Sequence, residues 1–183
     1  MNWLNIIVIL VVAWALIFLQ SAFNSLRELF GAQIDLLPAL MVYTALSAGL
    51  FGITFFAIVG GLAFDALSAN PLGISVLPLF LAGWVIHAKR ELILREEVYA
   101  QRILGLAASV VTPVFTLLLL LSVGETPLIG WQSLWQWIVM AAGGSLATPL
   151  FFQVFKRIHR SLNYPRMAEP SFRPDRQIVR SRQ

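Results

Sequence analysis

The chain contains no cysteine and carries few charged or histidine side chains. Its 183 residues include 13 Lys or Arg, 9 Asp or Glu and two histidines. The absence of cysteine excludes disulfides, thiolate catalysis and cysteine-ligated zinc. The histidines, His87 and His159, lie at the ends of apolar runs and are too far apart in the sequence to suggest a metal site. We interpret both as interfacial residues, and we expect no metal and no cofactor.

The shortage of charge points to a membrane protein. Charged residues make up 12% of the chain, against about 25% in an average soluble domain. The sequence is 58% hydrophobic, with a mean hydropathy of +0.79. A helix needs about 20 apolar residues to cross the hydrocarbon core of a bilayer, and every long uncharged run reaches that length. These runs are Met1–Leu26, Leu36–Phe64, Ala66–Ala88, Ile103–Gly124 and Thr126–Phe155.

The runs predict an all-α, polytopic transmembrane helical bundle over residues 1–158, with about six spans. The first helix, Trp3–Phe23, is too long for a signal-peptide core and reads as a retained span. The run Leu36–Phe64 fits one tilted span or two short helices, so five spans are the alternative. We favour two helices that break near Gly49 and Gly52. Asp35 is expected to cap the helix that follows it.

The later helices have clearer boundary signals. Asn70 is a good N-cap residue and Pro71 suits a first helical turn, so a helix is predicted from Pro71 to about His87, with a kink at Pro78. The last two spans are predicted at about Ile103–Val123 and Trp131–Phe155. Residues 159–183 are predicted to form a basic, mostly disordered tail.

Basic residues set the expected orientation. They concentrate in the tail and in Lys89–Arg102, which reads as a juxtamembrane helix or helical loop, so the positive-inside rule places both in the cytoplasm. The tail arginines fit attraction to anionic membrane lipids. Tyr164 and Phe172 supply too few aromatic rings for nucleic-acid binding, which is not expected.

Asp65 is the most informative single residue, because it is the only charge between Leu36 and Ala88. A charge at the centre of a bilayer costs roughly 2.5–3.5 kcal/mol on insertion scales. Relays and coupled pumps need several ionisable groups, and this chain has no second intramembrane acid or base. The favoured interpretation is structural, with the carboxylate bonding the exposed N–H groups of the next helix. Contact with a partner or ligand is the alternative.

Other patterns are less specific. Small residues spaced by four, such as Ala45/Gly49 and Gly105/Ser109, favour close helix packing, inside the bundle or with a partner helix. The sequence shows no Walker, His-Glu-x-x-His or nucleophile-elbow motif. Ser75 and Thr112 show no nearby base, so no catalytic residue is expected and the chain is predicted not to be an enzyme.

The segment that begins at Gly60 contains a Gly-Leu-x-x-Asp stretch at Gly61, Leu62 and Asp65, and beyond Asn70 it continues with Pro71, Leu72 and Gly73. It resembles the signature region of the MreD family of rod shape-determining proteins, whose members typically show Gly-Leu-x-x-Asp and then Leu-Gly entering the next helix. The hydropathy profile supports the likeness over about residues 1–160. The long basic tail departs from the family pattern.

The resemblance implies a non-enzymatic inner-membrane scaffold of the bacterial cell-elongation complex. Its implied partners are an MreC-like protein, RodA with a penicillin-binding transpeptidase and, indirectly, MreB. The family also looks structurally like the substrate-binding S components of energy-coupling-factor vitamin transporters. An S component is therefore the second hypothesis, and a subunit of an unrelated membrane complex is the third.

Overall fold

The computed structural model describes residues 3–22, 35–68, 71–91, 93, 97–124 and 130–162. These residues form helices and turns, and none of them lies in a strand. The helices are α1 (Trp3–Ala22), α2 (Leu37–Ser47), α3 (Leu50–Leu67), α4 (Val76–Ala88), α5 (Val98–Ser122) and α6 (Trp131–Leu162). The predicted all-α helical bundle is therefore confirmed.

Four of these helices, α1, α3, α5 and α6, are long and apolar enough to cross a membrane. Helices α2 and α4 are also apolar, but they have only 11 and 13 residues. At about 1.5 Å per residue, neither covers a hydrocarbon core about 30 Å thick on its own.

The long run Leu36–Phe64 divides into two helices, as the glycines predicted. Helix α2 ends at Ser47, Ala48 and Gly49 are extended, and α3 begins at Leu50. The start of α2 lies beside the end of α3, where Leu37 approaches Gly60. The two helices are therefore antiparallel and form a hairpin.

Helix α2 is the centre of the bundle. It contacts all five other helices, and every residue from Leu37 to Leu46 is buried. Leu36 holds the N-cap position without a side-chain bond, and Asp35, one residue earlier, accepts a hydrogen bond from the Leu37 N–H at 2.9 Å. Pro38 follows in the first turn, where its missing N–H leaves no helical bond broken.

The two ends of the bundle differ in chemistry. At one end, the end of α3 meets the start of α4, and Asp65 lies there. At the other end, His87 of α4 contacts Ala45 near the end of α2. His159 of α6 contacts Asn5 near the start of α1 at that same end. We call the end with Asp65 the corner end. We call the end with His87 and His159 the basic end, because Lys89, Arg90 and Lys156 are also there.

The boundaries differ from prediction in two places. The helix expected from Pro71 begins at Val76, because residues 72–75 form a turn in which Gly73 has a φ of +90°. That conformation cannot continue a right-handed helix. Pro78 then falls in the first turn of α4, where no hydrogen bond depends on its nitrogen. Helix α6 continues past Phe155 to Leu162, whereas residues 163–183 lie outside the described part.

Candidate functional site

The Asp65 side chain is buried and accepts hydrogen bonds from the next helix entry. It is 1% exposed. Its Oδ2 accepts the N–H groups of Gly73 and Ser75 at 2.9 and 3.0 Å. Its Oδ1 accepts the Ser75 hydroxyl at 2.5 Å. The carboxylate does bond N–H groups at the entry to the next helix, but these donors precede α4 and do not belong to a helix that starts at Pro71.

These bonds explain why α4 starts where it does. Ser75 is the N-cap residue of α4, and its own hydroxyl makes no capping bond within the helix. The hydroxyl and the N–H both turn to the carboxylate of Asp65, ten residues earlier in the chain. A long-range carboxylate therefore satisfies the N–H groups of Gly73 and Ser75, which precede the first helical residue, Val76.

Gly61 lets the two helices approach closely. A Cβ on Gly61 would lie 2.9 Å from both Cα and Cγ2 of Val76, the first residue of α4. Such a distance is too short for an ordinary contact, so the site requires glycine. On the neighbouring Gly60, a Cβ would lie 3.8 Å from the nearest atoms of Leu37 and Phe56, which is a normal contact. We call Gly61, Asp65, Gly73, Ser75 and Val76 the Asp65 corner.

The remaining motif residues lie around this corner. Leu62 is 42% exposed and Leu72 is 72% exposed, so both present apolar side chains on the outside of the bundle. Pro71 is also exposed. Asn70, the predicted N-cap, lies outside the described residues.

A second buried acid accompanies the corner. Asp35 is 8% exposed. Burial raises the pKa of Asp35 from 3.8 to about 6, the Leu37 N–H opposes this rise, and the negative charge of Asp65 adds to it. The corner end thus brings together two carboxylates that are 30 positions apart. The sequence shows both acids, but nothing in it indicates that they are neighbours.

The surroundings of Ser75 differ from expectation, because it does have a potential base within hydrogen-bond distance. The base is the Asp65 carboxylate, which is also engaged by two backbone N–H groups. All three hydrogen bonds of this carboxylate go to the turn before α4. The arrangement is that of a structural cap.

Small residues bring α5 and α6 together at a second site. A Cβ on Gly105 would collide with Thr148 and the carbonyl of Gly144, and one on Gly144 would collide with Ser109. Gly105 and Ser109 therefore serve packing within the bundle. The pair Ala45/Gly49 does not bring two helices into close contact, because Gly49 has open space around it.

The histidines make contacts between helices at the basic end. His87 Nδ1 lies 3.0 Å from the carbonyl oxygen of Ala45. His159 Nε2 lies 3.1 Å from Asn5 Oδ1 and 3.5 Å from the Tyr43 hydroxyl. Because an amide oxygen only accepts, Nε2 of His159 carries a hydrogen in the contact with Asn5. Sequence reasoning interpreted both as interfacial residues but missed that His87 joins α4 to α2 and that His159 joins α6 to α1 and α2.

In comparisons with known proteins, no family model, no curated protein and no solved structure matches this chain.

Proposed function

We propose that this protein is a non-enzymatic scaffold of the bacterial inner membrane, acting in cell elongation in the manner of the MreD family. The proposal depends on where three residues of the family's signature region lie in the fold. Gly61, Asp65 and Gly73 all build one rigid corner between two helices. A scaffold needs such a fixed shape, whereas a transporter or enzyme needs polar groups that remain available to a substrate.

The outside of the corner offers a surface to a partner. Leu62 follows the corner residue Gly61 and Leu72 precedes the corner residue Gly73, and both leucines expose their side chains. Helix association in membranes depends on close van der Waals packing. The proposed partner is the membrane helix of an MreC-like protein, with RodA, its transpeptidase and MreB joined less directly.

Orientation belongs to the same proposal. The basic end carries the exposed residues Lys89, Arg90, Lys156, Arg157 and Arg160. Under the positive-inside rule this end faces the cytoplasm, and the Asp65 corner lies towards the outer face of the inner membrane.

The second hypothesis, a vitamin-binding S component, requires polar groups that converge on a ligand near the outer face. Asp65 and Ser75 were its best candidates, but they are hydrogen-bonded to each other. Thr112 remains a candidate, since its buried hydroxyl has no partner among the described residues.

Co-purification tests the scaffold role. An affinity-tagged chain should retain an MreC-like protein from membranes of a rod-shaped host, and depletion of the chain should round the cells. The L62S/L72S variant should lose the partner while keeping wild-type thermal stability. Leu118→Ser, at an exposed position on α5, is the matched control and should retain it.

Two outcomes would reject the scaffold role. One is unchanged cell shape on depletion together with no MreC-like protein in the purified complex. The other is a vitamin that co-purifies with the chain and stabilises it, which would favour the S-component hypothesis.

A further inference from the structure

A cleft with a basic rim opens at the basic end of the bundle, between α2, α5 and α6. Its volume is 560 Å³, within the range of about 300–1,000 Å³ that ligand sites occupy. Lys156 and Arg160 line it, and both side chains are exposed. Their positive charges favour an anionic ligand.

One wall of the cleft changes from apolar to cationic along α6. Phe152, Lys156 and Arg160 are spaced by four residues, so they lie on the same face of the helix. Over these residues the helix rises about 12 Å. Phe152 lies towards the middle of the bundle and Arg160 lies nearer its end. A phospholipid has the same order, with acyl chains in the membrane and a charged phosphate at the surface.

The opposite wall is held in place by ring packing and polar contacts. The Tyr43 ring stacks on Phe155 at a centroid distance of 4.0 Å and meets Phe152 edge-on at 5.1 Å. Its hydroxyl lies 3.5 Å from His159, which in turn contacts Asn5. Contacts between α1, α2 and α6 thus hold the Tyr43 and His159 side chains of the cleft lining in place.

We propose that this cleft binds the phosphate of an anionic phospholipid, with Lys156 and Arg160 on the phosphate and the acyl chain along Phe152. A soluble phosphate shares the charge but would gain nothing from the apolar part of the lining. Basic pockets between membrane helices on the cytoplasmic side bind acidic headgroups in other proteins. The site goes beyond the scaffold role and does not depend on it.

Lipid binding to the full-length chain in detergent tests the proposal. The probes are phosphatidylglycerol, phosphatidylcholine and glycerol 3-phosphate, and the readouts are retained lipid by native mass spectrometry and the shift in melting temperature. Phosphatidylglycerol should bind at least tenfold more tightly than phosphatidylcholine. The K156Q/R160Q variant should bind it about tenfold or more weakly, since each surface cation contributes about as much as a several-fold change in affinity.

Two matched variants complete the test. Arg157→Gln removes a charge from the same helix turn outside the cleft lining, and it should bind phosphatidylglycerol within twofold of wild type. The K156R/R160K variant keeps both charges and should also bind, which separates charge loss from misfolding.

Three results would overturn the site. The first is equal binding of the zwitterionic and anionic lipids. The second is an equal loss of binding in K156Q/R160Q and Arg157→Gln. The third is saturation by glycerol 3-phosphate with no preference for the lipid, which would assign the cleft to a soluble phosphate.

Discussion

Ser75 meets Asp65 twice, through its backbone N–H at Oδ2 and through its hydroxyl at Oδ1. The two residues lie ten positions apart, on either side of the turn between α3 and α4. Together with the Gly73 N–H, these contacts use both oxygens of the only acid in the long apolar stretch around it. A carboxylate that would be costly alone in a membrane is thereby compensated locally.

The first prediction compares Asp65→Asn with Asp65→Leu. The Asn oxygen can accept the two backbone N–H groups, and its amide can donate to the Ser75 oxygen, so all three contacts survive without the charge. Leucine leaves all three donors without acceptors, and the two of Ser75 are buried, at about 1–3 kcal/mol each. Thermal unfolding in detergent should show a small loss for Asn, about 1 kcal/mol, and a loss of about 3 kcal/mol or more for Leu. Equal losses would show that charge, rather than hydrogen bonding, is what the corner needs.

The second prediction uses two adjacent glycines. Gly61→Ala places a Cβ against the backbone of Val76 and should destabilise the bundle by about 1–3 kcal/mol. Gly60→Ala is the matched control, because its Cβ has ordinary space. This control should be neutral or up to about 1 kcal/mol stabilising, since alanine favours the helix. Similar melting temperatures for the two variants would contradict the close approach of α3 and α4.

The third prediction concerns pH. The folded-state pKa of Asp35 is raised from 3.8 to about 6, so the folded protein binds a proton more tightly than the unfolded chain. The stabilisation that protonated Asp35 gives to the folded state is therefore complete below about pH 4 and is lost as the pH rises through about 6. A shift of this size corresponds to about 3 kcal/mol.

Melting curves between about pH 4 and pH 8 measure this effect. Asp35→Asn can still accept the Leu37 N–H but does not ionise, so it should flatten the decline and be more stable than wild type at neutral pH. Glu91→Gln, an exposed acid at the basic end, is the control and should keep the wild-type profile. An unchanged profile in Asp35→Asn would assign the decline to another group.

The fourth prediction concerns topology and uses the absence of native cysteine. Leu72→Cys lies on an exposed part of the corner turn, and Arg90→Cys lies at the basic end. In intact cells without an outer-membrane barrier, a membrane-impermeant maleimide should label position 72 at once. Position 90 should react only after the membrane is opened. The reverse pattern would invert the proposed orientation.

The sequence predicted the coarse fold because long uncharged runs allow little besides membrane helices. The extended residues Ala48 and Gly49 and the structural role of Asp65 could also be predicted, since a glycine pair and a lone acid are local signals. The start of α4 could not be predicted from the sequence. Asn70-Pro71 is a sound start signal, but the long-range bonds from Asp65 and the positive φ of Gly73 shift the helix to Val76.

Other features depend on tertiary contacts that leave no pattern in the sequence. Helix α2 is buried from Leu37 to Leu46, whereas α1 exposes several large apolar side chains, yet both helices are uncharged and mostly apolar. The approach of Asp35 to Asp65 and the rim formed by Tyr43 and His159 join residues far apart in the chain. Such neighbours become visible only once the helices are placed.

A double-mutant cycle between Asp65→Ala and Ser75→Ala tests the corner most directly, with the free energy of unfolding as the readout. If the two side chains bond as the structure shows, the double variant should be less destabilised than the sum of the single variants, by at least about 1 kcal/mol. Additive losses, within about 0.3 kcal/mol, would mean that the Asp65 carboxylate and the Ser75 hydroxyl do not bond, which would contradict the corner on which the scaffold proposal depends.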